Sequence, residues 1–392
     1  MIQTIFFSGF MAALIYFFVL AGQTQSPSAW IYAVFLLIIF VQIMRTKQIS
    51  KYRRIFQSAF AVFFMISFIG ILYDVRGSMA ITADTTLNAE NPFCNIIIPA
   101  IMIPYALTKT IIYPGPIIGN FAAVIAMLFI WFIATVTIGK GWCGWVCFYG
   151  GWEDAVSRFA KKPRLHVLSH NKDFRAFQFA FLFFIILATV AVMSSVYCEW
   201  FCPFKLVTEF APINNIPTLI ATVLFIGLFL GLVIVMPFLT RKRFQCSTLC
   251  PFGAFQSLVD RLSGYRLCID TEKCTGCLKC ATACPFCAID QDTITGKKGR
   301  PEITCAKCGE CIGVCSSKAI RFEYAFEARK KKDASSCARP EPKTRFGRTV
   351  QALLDPQNLF IFSAFTFSVV ISSRFVPDAI NRIFRLFSGG VL

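Results

Sequence analysis

The sequence predicts a polytopic α-helical membrane protein of about seven spans that carries one polar, cysteine-rich domain. Three observations support this fold class. Hydrophobic residues make up 56% of the 392 residues and charged residues only 15%, whereas soluble proteins average roughly 25% charged residues. Apolar stretches of about 20 residues, long enough to cross a bilayer, recur along the chain. After about residue 241 the composition changes sharply, and the chain becomes polar, basic and rich in cysteine.

The apolar stretches are predicted as membrane spans because each approaches the length of the hydrocarbon core. The predicted spans are residues 3–22, 28–44, 55–73, 119–139, 174–195, 217–240 and 357–373. Another apolar stretch, 95–113, contains Pro99, Pro104 and Lys109. These residues interrupt a helix or carry charge, so we expect an interfacial or re-entrant segment there.

Lys and Arg concentrate in alternate loops, which predicts the orientation of the chain. Segments 45–54, 140–175 and 241–356 are basic, whereas 74–118 and 196–216 hold few basic residues. The positive-inside rule places the basic segments in the cytoplasm. We therefore expect a multi-pass protein of the cell inner membrane with its cysteine-rich domain in the cytoplasm. The net charge of +18 is attributed to this orientation and to anionic lipid, so no nucleic-acid partner is predicted.

Two cysteine runs in the polar domain have the spacing C-x2-C-x2-C-x3-C, which holds [4Fe–4S] clusters. In two-cluster ferredoxins the fourth cysteine of each run ligates the other cluster. The predicted ligands of cluster one are Cys274, Cys277, Cys280 and Cys315, and those of cluster two are Cys305, Cys308, Cys311 and Cys284. The domain is therefore predicted to be an α+β, two-cluster bacterial-ferredoxin-like domain over residues 263–325.

Zinc or disulfide bonds are the alternatives for these cysteines. Zinc prefers two CxxC pairs separated by a longer loop, and disulfides are not expected on the cytoplasmic side of the membrane. Cys268 and Cys287 are expected to pack near the clusters, and Cys337 to lie in a flexible tether.

Three C-x3-C pairs follow predicted spans in the membrane region. They are Cys143–Cys147, Cys198–Cys202 and Cys246–Cys250. The residues after the first and third pairs align without gaps, with Gly150 matching Gly253 and Arg158 matching Arg261. Both of these pairs are predicted at the cytoplasmic face, where their four thiolates could hold a third redox centre. Packing of buried thiols is the alternative.

The middle pair, Cys198 and Cys202, is predicted on the outer side together with Cys94. These three thiols do not complete a four-thiolate site. A labile disulfide or redox pair, a cluster with a non-cysteine ligand, transient metal capture and simple packing all remain open for them.

Composition and motifs divide the chain into five predicted regions. These are 1–118, an N-terminal membrane region with the interfacial segment; 119–262, the membrane region with the repeated pairs; 263–325, the two-cluster domain; 326–356, a basic tether; and 357–392, a C-terminal span and tail.

Over about residues 119–325 the chain resembles the membrane polyferredoxins of the NapH/MauN/NosR type and the related YccM-like and CcoG-like proteins. The shared features are the membrane pairs at Cys198–Pro203 and Cys246–Pro251 and the two cluster-binding runs. Cys143–Cys147 matches the corresponding family element, with Phe148 where the family has proline. The resemblance implies electron transfer between the quinone pool or a membrane partner and a dedicated reductase or assembly system.

The motifs therefore predict a membrane-anchored electron relay with two [4Fe–4S] clusters and a candidate further cluster. An enzyme is the second class, either a quinol dehydrogenase subunit or a metal-ion (copper) reductase that uses the membrane thiols. A redox-sensing or assembly factor for a respiratory metalloenzyme is the third. No catalytic side chain is predicted, because the sequence contains no P-loop or Ser/His/Asp arrangement.

Overall fold

The computed structural model describes residues 2–76, 94–95, 98–110, 121–165, 172–205, 213–295, 299–330, 337 and 344–389, and most of them are helical. The α-helices are α1 (Ile2–Ile15), α2 (Pro27–Thr46), α3 (Ile49–Arg76), α4 (Ile98–Thr108), α5 (Phe121–Thr137), α6 (Gly141–Trp145), α7 (Phe148–Val156), α8 (Lys172–Val192), α9 (Ile216–Leu228), α10 (Met236–Thr240), α11 (Phe244–Thr248), α12 (Pro251–Val259), α13 (Lys279–Ala283), α14 (Gln291–Thr295), α15 (Glu310–Val314), α16 (Ala325–Lys330), α17 (Arg345–Leu353) and α18 (Pro356–Phe387). The strands are β1 (Tyr265–Ile269) and β2 (Ile320–Tyr324). Turns of π-helix occur at Tyr16–Leu20, Tyr197–Phe201 and Phe229–Val235, and a 3₁₀ turn at Asp260–Leu262.

Six helical segments within the described residues are long and apolar enough to cross a membrane. They are Gln3–Leu20, Pro27–Thr46, Ile49–Ile71, Arg175–Val192, Ile216–Thr240 and Val350–Phe387. A shorter apolar helix, Ala126–Thr137, lies where the fourth span is predicted. The polytopic helical architecture is therefore confirmed, and the total of about seven spans stays a prediction.

The helix ends separate into two groups at opposite ends of the membrane region. Lys47 Nζ donates a hydrogen bond to Oδ1 of Asn358 at 2.8 Å, and the Asn358 amide donates to Gln3 at 3.3 Å. At the other end, Arg382 of α18 pairs with Asp74 of α3. The contacts indicate that α1, α2 and α3 run alternately up and down and that α18 runs in the same direction as α3, in agreement with the alternation of basic and poorly charged loops. The cellular side of each end stays a prediction.

Helices α3 and α7 pack closely in the centre of the membrane region. A Cβ atom added at Gly151 of α7 would lie 2.5 Å from the carbonyl oxygen of Gln57, so only glycine allows this approach. The contact places α7, which follows the first C-x3-C pair, against the buried polar side chains of α3 described below.

The cysteine-rich domain is built on two antiparallel strands, with Tyr265 opposite Tyr324 and Ile269 opposite Ile320. Short helices connect the strands, as expected for a small α+β domain. Phe322 of β2 stacks on Phe360 of α18 with ring centroids 4.2 Å apart. The domain therefore lies against the same end of the membrane region as the start of α18.

A disulfide bond joins Cys268 of β1 to Cys337, with Cα atoms 6.2 Å apart. Both residues are buried, at 1% and 3% exposure. The expectation of no disulfide here, with Cys337 in a flexible tether, is therefore wrong for this pair, because the chain at Cys337 returns to the sheet. Residues 331–336 and 338–343 lie outside the described part of the predicted tether.

Candidate metal centres

The four cysteines predicted for cluster two line one cavity in the cysteine-rich domain. The wall of this cavity includes Cys284, Cys305, Cys308, Cys311 and Phe286. Three of the thiols come from the second run and Cys284 comes from the first, as the ferredoxin pattern requires. We call this cavity the cluster two site.

Of the cysteines predicted for cluster one, Cys274 and Cys315 lie near Cys280, and we call the four predicted ligands the cluster one site. Burial, together with the nearby thiols of Cys274 and Cys315, raises the pKa of Cys280 to about 11. Cys277 is exposed, and a hydrogen bond from the backbone N–H of Lys279 lowers its pKa. The two sites are close enough for their thiols to interact electrostatically, since Cys280 is among the groups that raise the pKa of Cys311. Below, a group described as in range of another is close enough for this kind of electrostatic interaction.

Backbone hydrogen bonds to sulfur occur at equivalent positions of the two runs. The N–H of Ala288 donates to Sγ of Cys284 at 3.3 Å, and that of Ala319 donates to Sγ of Cys315 at 3.4 Å. In each case the donor lies four residues after the fourth cysteine of the run. Hydrogen bonds to cluster-ligating sulfurs are one of the means by which a protein sets a reduction potential.

The arrangement of thiols fits a cluster better than a single ion. Among the described residues, no three His, Cys, Asp or Glu side chains converge as they would on one bare metal ion. A tetrahedral zinc ion holds thiolate sulfurs about 2.3 Å from one point, whereas a cubane spreads its four ligands over separate iron atoms. The cluster two site offers four thiols around a cavity, which is the donor set that a cubane takes.

The two outer C-x3-C pairs have the same backbone conformation in the membrane region. Cys143 lies in α6 and Cys246 in α11, two helices of five residues each. Cys147 and Cys250 are the extended N-cap residues that precede α7 and α12. The predicted sequence repeat is therefore also a structural repeat.

The thiols of these two pairs come together in the protein interior, and we call them the membrane thiol group. Each of the four cysteines is only 6% or 7% exposed. Burial raises the pKa of Cys250 well above its usual value, and the nearby thiols of Cys143 and Cys147 raise it further. Cys246 is affected in the same way by burial and by Cys250 and Cys147, with Glu153 also contributing. The four thiols could hold a redox centre whose positive iron ions offset the cost of ionising them.

Hydrogen bonds tie the two repeats to each other around this group. The Glu153 carboxylate, in the first repeat, accepts from the backbone N–H groups of Gln245 at 2.7 Å and Cys246 at 3.0 Å. Arg243, in the second repeat, donates to the carbonyl of Cys143 at 2.8 Å. Each repeat therefore fixes the cysteine-bearing helix of the other.

Arg158, Arg241 and Arg243 lie near the two outer pairs in the sequence, and the structure shows which of them is close to the thiols. Arg243 is fully buried and lies in range of Cys246. Arg158 instead pairs with Glu310 at 3.0 Å, and Arg241 donates to the carbonyl of Lys161. Of these three arginines, Arg243 is thus the one positioned beside the membrane thiol group.

Cys94, Cys198 and Cys202 form a second thiol group that adjoins the first. The Tyr149 hydroxyl lies 3.3 Å from Sγ of Cys94 and in range of Cys202 and Cys147. Tyr197 lies in range of Cys202, Cys198 and Cys250. The three cysteines therefore adjoin the membrane thiol group through Tyr149 and Tyr197, and their predicted location on the outer side stays a prediction. Neither tyrosine was predicted from the sequence.

Lys140 is a further functional candidate that the sequence analysis missed. Its side chain is fully buried and lies in range of Cys143 and Cys250 of the membrane thiol group and Cys305 of the cluster two site. The signal was present in the repeat, because Lys140 precedes Cys143 by three residues, as Arg243 precedes Cys246.

Comparison with known proteins supports iron–sulfur binding by this chain. A family model described as a 4Fe-4S binding domain matches residues 120–166, 176–212 and 222–267, and each match contains one C-x3-C pair. The chain is 31% identical to an uncharacterized protein of Methanocaldococcus jannaschii over 202 residues, which are 50% of this chain and 68% of that protein. No solved structure matches.

Two further relatives carry descriptive names. The ferredoxin-type protein NapH of Haemophilus influenzae is 26% identical over 197 residues, 48% of this chain and 63% of that protein. YccM of Escherichia coli, named for electron transport, is 25% identical over 224 residues, 54% of this chain and 58% of that protein.

The helical fold and the cysteine sites define an iron–sulfur membrane protein of the electron-transfer class. The chain belongs to the NapH-like family of membrane polyferredoxins.

Proposed function

We propose that this protein relays electrons between the quinone pool, or another membrane redox partner, and a dedicated reductase on the side of the cysteine-rich domain. The observation that carries the proposal is the continuity of the thiol sites. The membrane thiol group, the cluster two site and the cluster one site follow one another, with Lys140 in range of the first two and Cys280 in range of Cys311 across the last two.

The residues that would hold the clusters are those of the sequence prediction. Two [4Fe–4S] clusters are proposed at the cluster one and cluster two sites, and a further cluster at the membrane thiol group. Iron–sulfur clusters supply one-electron transfer when bound. The chain contributes the thiolates, the backbone N–H donors to Cys284 and Cys315, and the burial that excludes water from the path.

The second thiol group would form the membrane end of this path. Tyr149 and Tyr197 each neighbour thiols of both groups, so an electron that enters at Cys198 and Cys202 would have a short route inward. This position favours a redox pair over packing alone.

Rigid attachment of the cysteine-rich domain supports direct transfer between the sites. Lys242 Nζ donates to the carbonyl oxygens of Thr282 at 2.9 Å and Cys284 at 2.7 Å. The indole N–H of Trp145, in the first repeat, donates to the Lys307 carbonyl at 3.1 Å. These bonds join both repeats to the backbone that carries the cluster two cysteines.

The test is the cofactor content of protein purified without oxygen. Two clusters require about eight iron atoms and an equal amount of acid-labile sulfide, and three require about twelve. The EPR spectrum of the reduced protein should contain the signals of at least two clusters. A quinol analogue in the membrane should reduce them. Bound zinc with little sulfide, or clusters that no membrane reductant reaches, would overturn the proposal.

A further inference from the structure

Two buried cations occupy equivalent positions of the internal repeat and face the same aromatic ring. Lys140 and Arg243 each precede the first cysteine of a C-x3-C pair by three residues. Lys140 Nζ lies 5.6 Å from the ring centroid of Phe286, and the guanidinium carbon of Arg243 lies 5.3 Å from it. At the corresponding position before Cys198 the chain has Ser195, so the cation is specific to the two outer pairs.

Phe286 is part of the wall of the cluster two site. The two cations therefore lie between the membrane thiol group and that cavity. Lys140 is in range of Cys143 and Cys250 on one side and Cys305 on the other. Arg243 is in range of Cys246 on one side and Cys308 on the other.

The charge of Lys140 is not neutralised by a dedicated carboxylate. Its Nζ donates to the Ser257 hydroxyl at 2.5 Å, which is a neutral partner. Asp260 lies in range of Lys140 but is paired with Lys307 at 2.7 Å. A buried cation without a full counter-charge is costly, and a cluster with four thiolate ligands carries the negative charge that would compensate it.

We propose that Lys140 and Arg243 form a shared cationic bridge that raises the reduction potentials of the membrane centre and of cluster two together. The proposal rests on the proposed function, because it requires a cluster at the membrane thiol group. In each transfer the membrane centre loses one electron and cluster two gains it. A cation between the two centres stabilises the added electron at either centre. The electrostatic energy of the electron therefore changes little when it passes from one centre to the other.

Lys242 provides a matched control. It is also a buried lysine at the same junction, 5% exposed, but its Nζ donates to carbonyls of the cysteine-rich domain, including that of Cys284. Among thiols it is a charge partner of Cys284 and Cys287, which are both on the domain side. Its charge should therefore act on cluster two and little on the membrane centre.

The experiment is an EPR-monitored redox titration of the full-length protein and of the K140M and K242M variants. K140M should lower the reduction equilibrium constants of both the membrane centre and cluster two by about tenfold, equal to about 59 mV for a one-electron couple. K242M should lower that of cluster two alone. K140R keeps the positive charge, so its potentials should lie close to those of the parent protein. If Lys140 had a purely structural role, the potentials would not depend on whether the substituted side chain is charged.

Unchanged potentials in K140M, or a shift of one centre only, would overturn the bridge. K140Q keeps a hydrogen-bond donor for Ser257 and serves in the same titration if K140M does not accumulate. The EPR spectrum of the parent protein distinguishes failure of the third centre from failure of the cationic bridge. A parent without any membrane-centre signal refutes the third centre of the proposed function, whereas a parent with that signal and unmoved K140 variants refutes the bridge alone.

Discussion

Asp154 is the anionic centre of a buried charge network where α3, α7 and the second repeat meet. Its Oδ2 lies 2.8 Å from Arg53 Nη2 and 3.1 Å from Arg243 Nη2, and all three side chains are fully buried. Burial alone would raise the pKa of Asp154, but Arg243, Arg53 and Arg54 hold it well below its usual range. The carboxylate therefore stays ionised and holds the cationic bridge in place.

Replacing Asp154 with asparagine should destabilise the protein strongly, because two buried arginines would lose their shared counter-charge. Removal of one partner from a buried ion pair costs about 3–5 kcal/mol. We expect D154N to lower the thermal unfolding midpoint in detergent clearly. Since the folded pKa is depressed, this contribution is present above the ordinary carboxyl pKa and is lost as the pH falls.

Asp378 is the matched control for D154N. It pairs with Arg382 at the opposite end of the membrane region and is 35% exposed, so D378N should cost about 1 kcal/mol or less. Equal destabilisation by the two variants would contradict the central position assigned to Asp154.

At the scale of elements, α6 and the second cysteine run approach each other without room for a side chain. A Cβ atom at Gly144 would lie 2.4 Å from the carbonyl oxygen of Ala306, and this carbonyl lies between two cysteines of the cluster two site. Glycine at this position therefore allows the first C-x3-C pair to lie against the domain.

G144A should move the cysteine-rich domain away from the membrane thiol group. We expect slower reduction of cluster two from the membrane and faster proteolytic release of the domain. G227A is the control, since a Cβ atom there has nothing within 4 Å and alanine is favoured over glycine within a helix. Normal electron transfer in G144A would show that the close approach of α6 to the second cysteine run is not needed for reduction of cluster two.

Local patterns in the sequence predicted much of the fold and of the site, and their limits have a physical reason. The spacing of each run was enough to group Cys284 with the second run, because ferredoxin ligation follows a fixed local pattern. Apolar length predicted the helices for the same reason. The disulfide of Cys268 with Cys337 and the contacts of Tyr149 depend on long-range packing, which no local periodicity records.

At the scale of the whole molecule, the helices form a bundle whose cysteine-rich end and opposite end are chemically distinct. The first part of the helix Ile216–Thr240 is mostly exposed, whereas its last ten residues are mostly half-buried or buried, so the first part is available to lipid. The polar domain and the basic loops lie at one end, and the positive-inside rule predicts that this is the cytoplasmic end.

This orientation can be tested with single added cysteines and a thiol reagent that does not cross membranes. Thr24 lies in the exposed turn between α1 and α2, so the T24C variant should be labelled in intact cells. Q291C, exposed at the start of α14, should be labelled only after permeabilisation. The parent protein gives the background from its own cysteines. Labelling of Q291C in intact cells would place the domain outside and reverse the direction of the relay.

The central claim is that Cys143, Cys147, Cys246 and Cys250 together hold a redox centre between the membrane and the two domain clusters. Its most direct test is the iron content and EPR spectrum of the double variant C147S/C250S, with C287S as the control for loss of a thiol outside the predicted ligand sets. We predict that the double variant loses about four iron atoms, keeps both domain signals and is no longer reduced from the membrane, while C287S behaves as the parent. Unchanged iron content and electron flow in the double variant would contradict the claim and leave these thiols with a packing role.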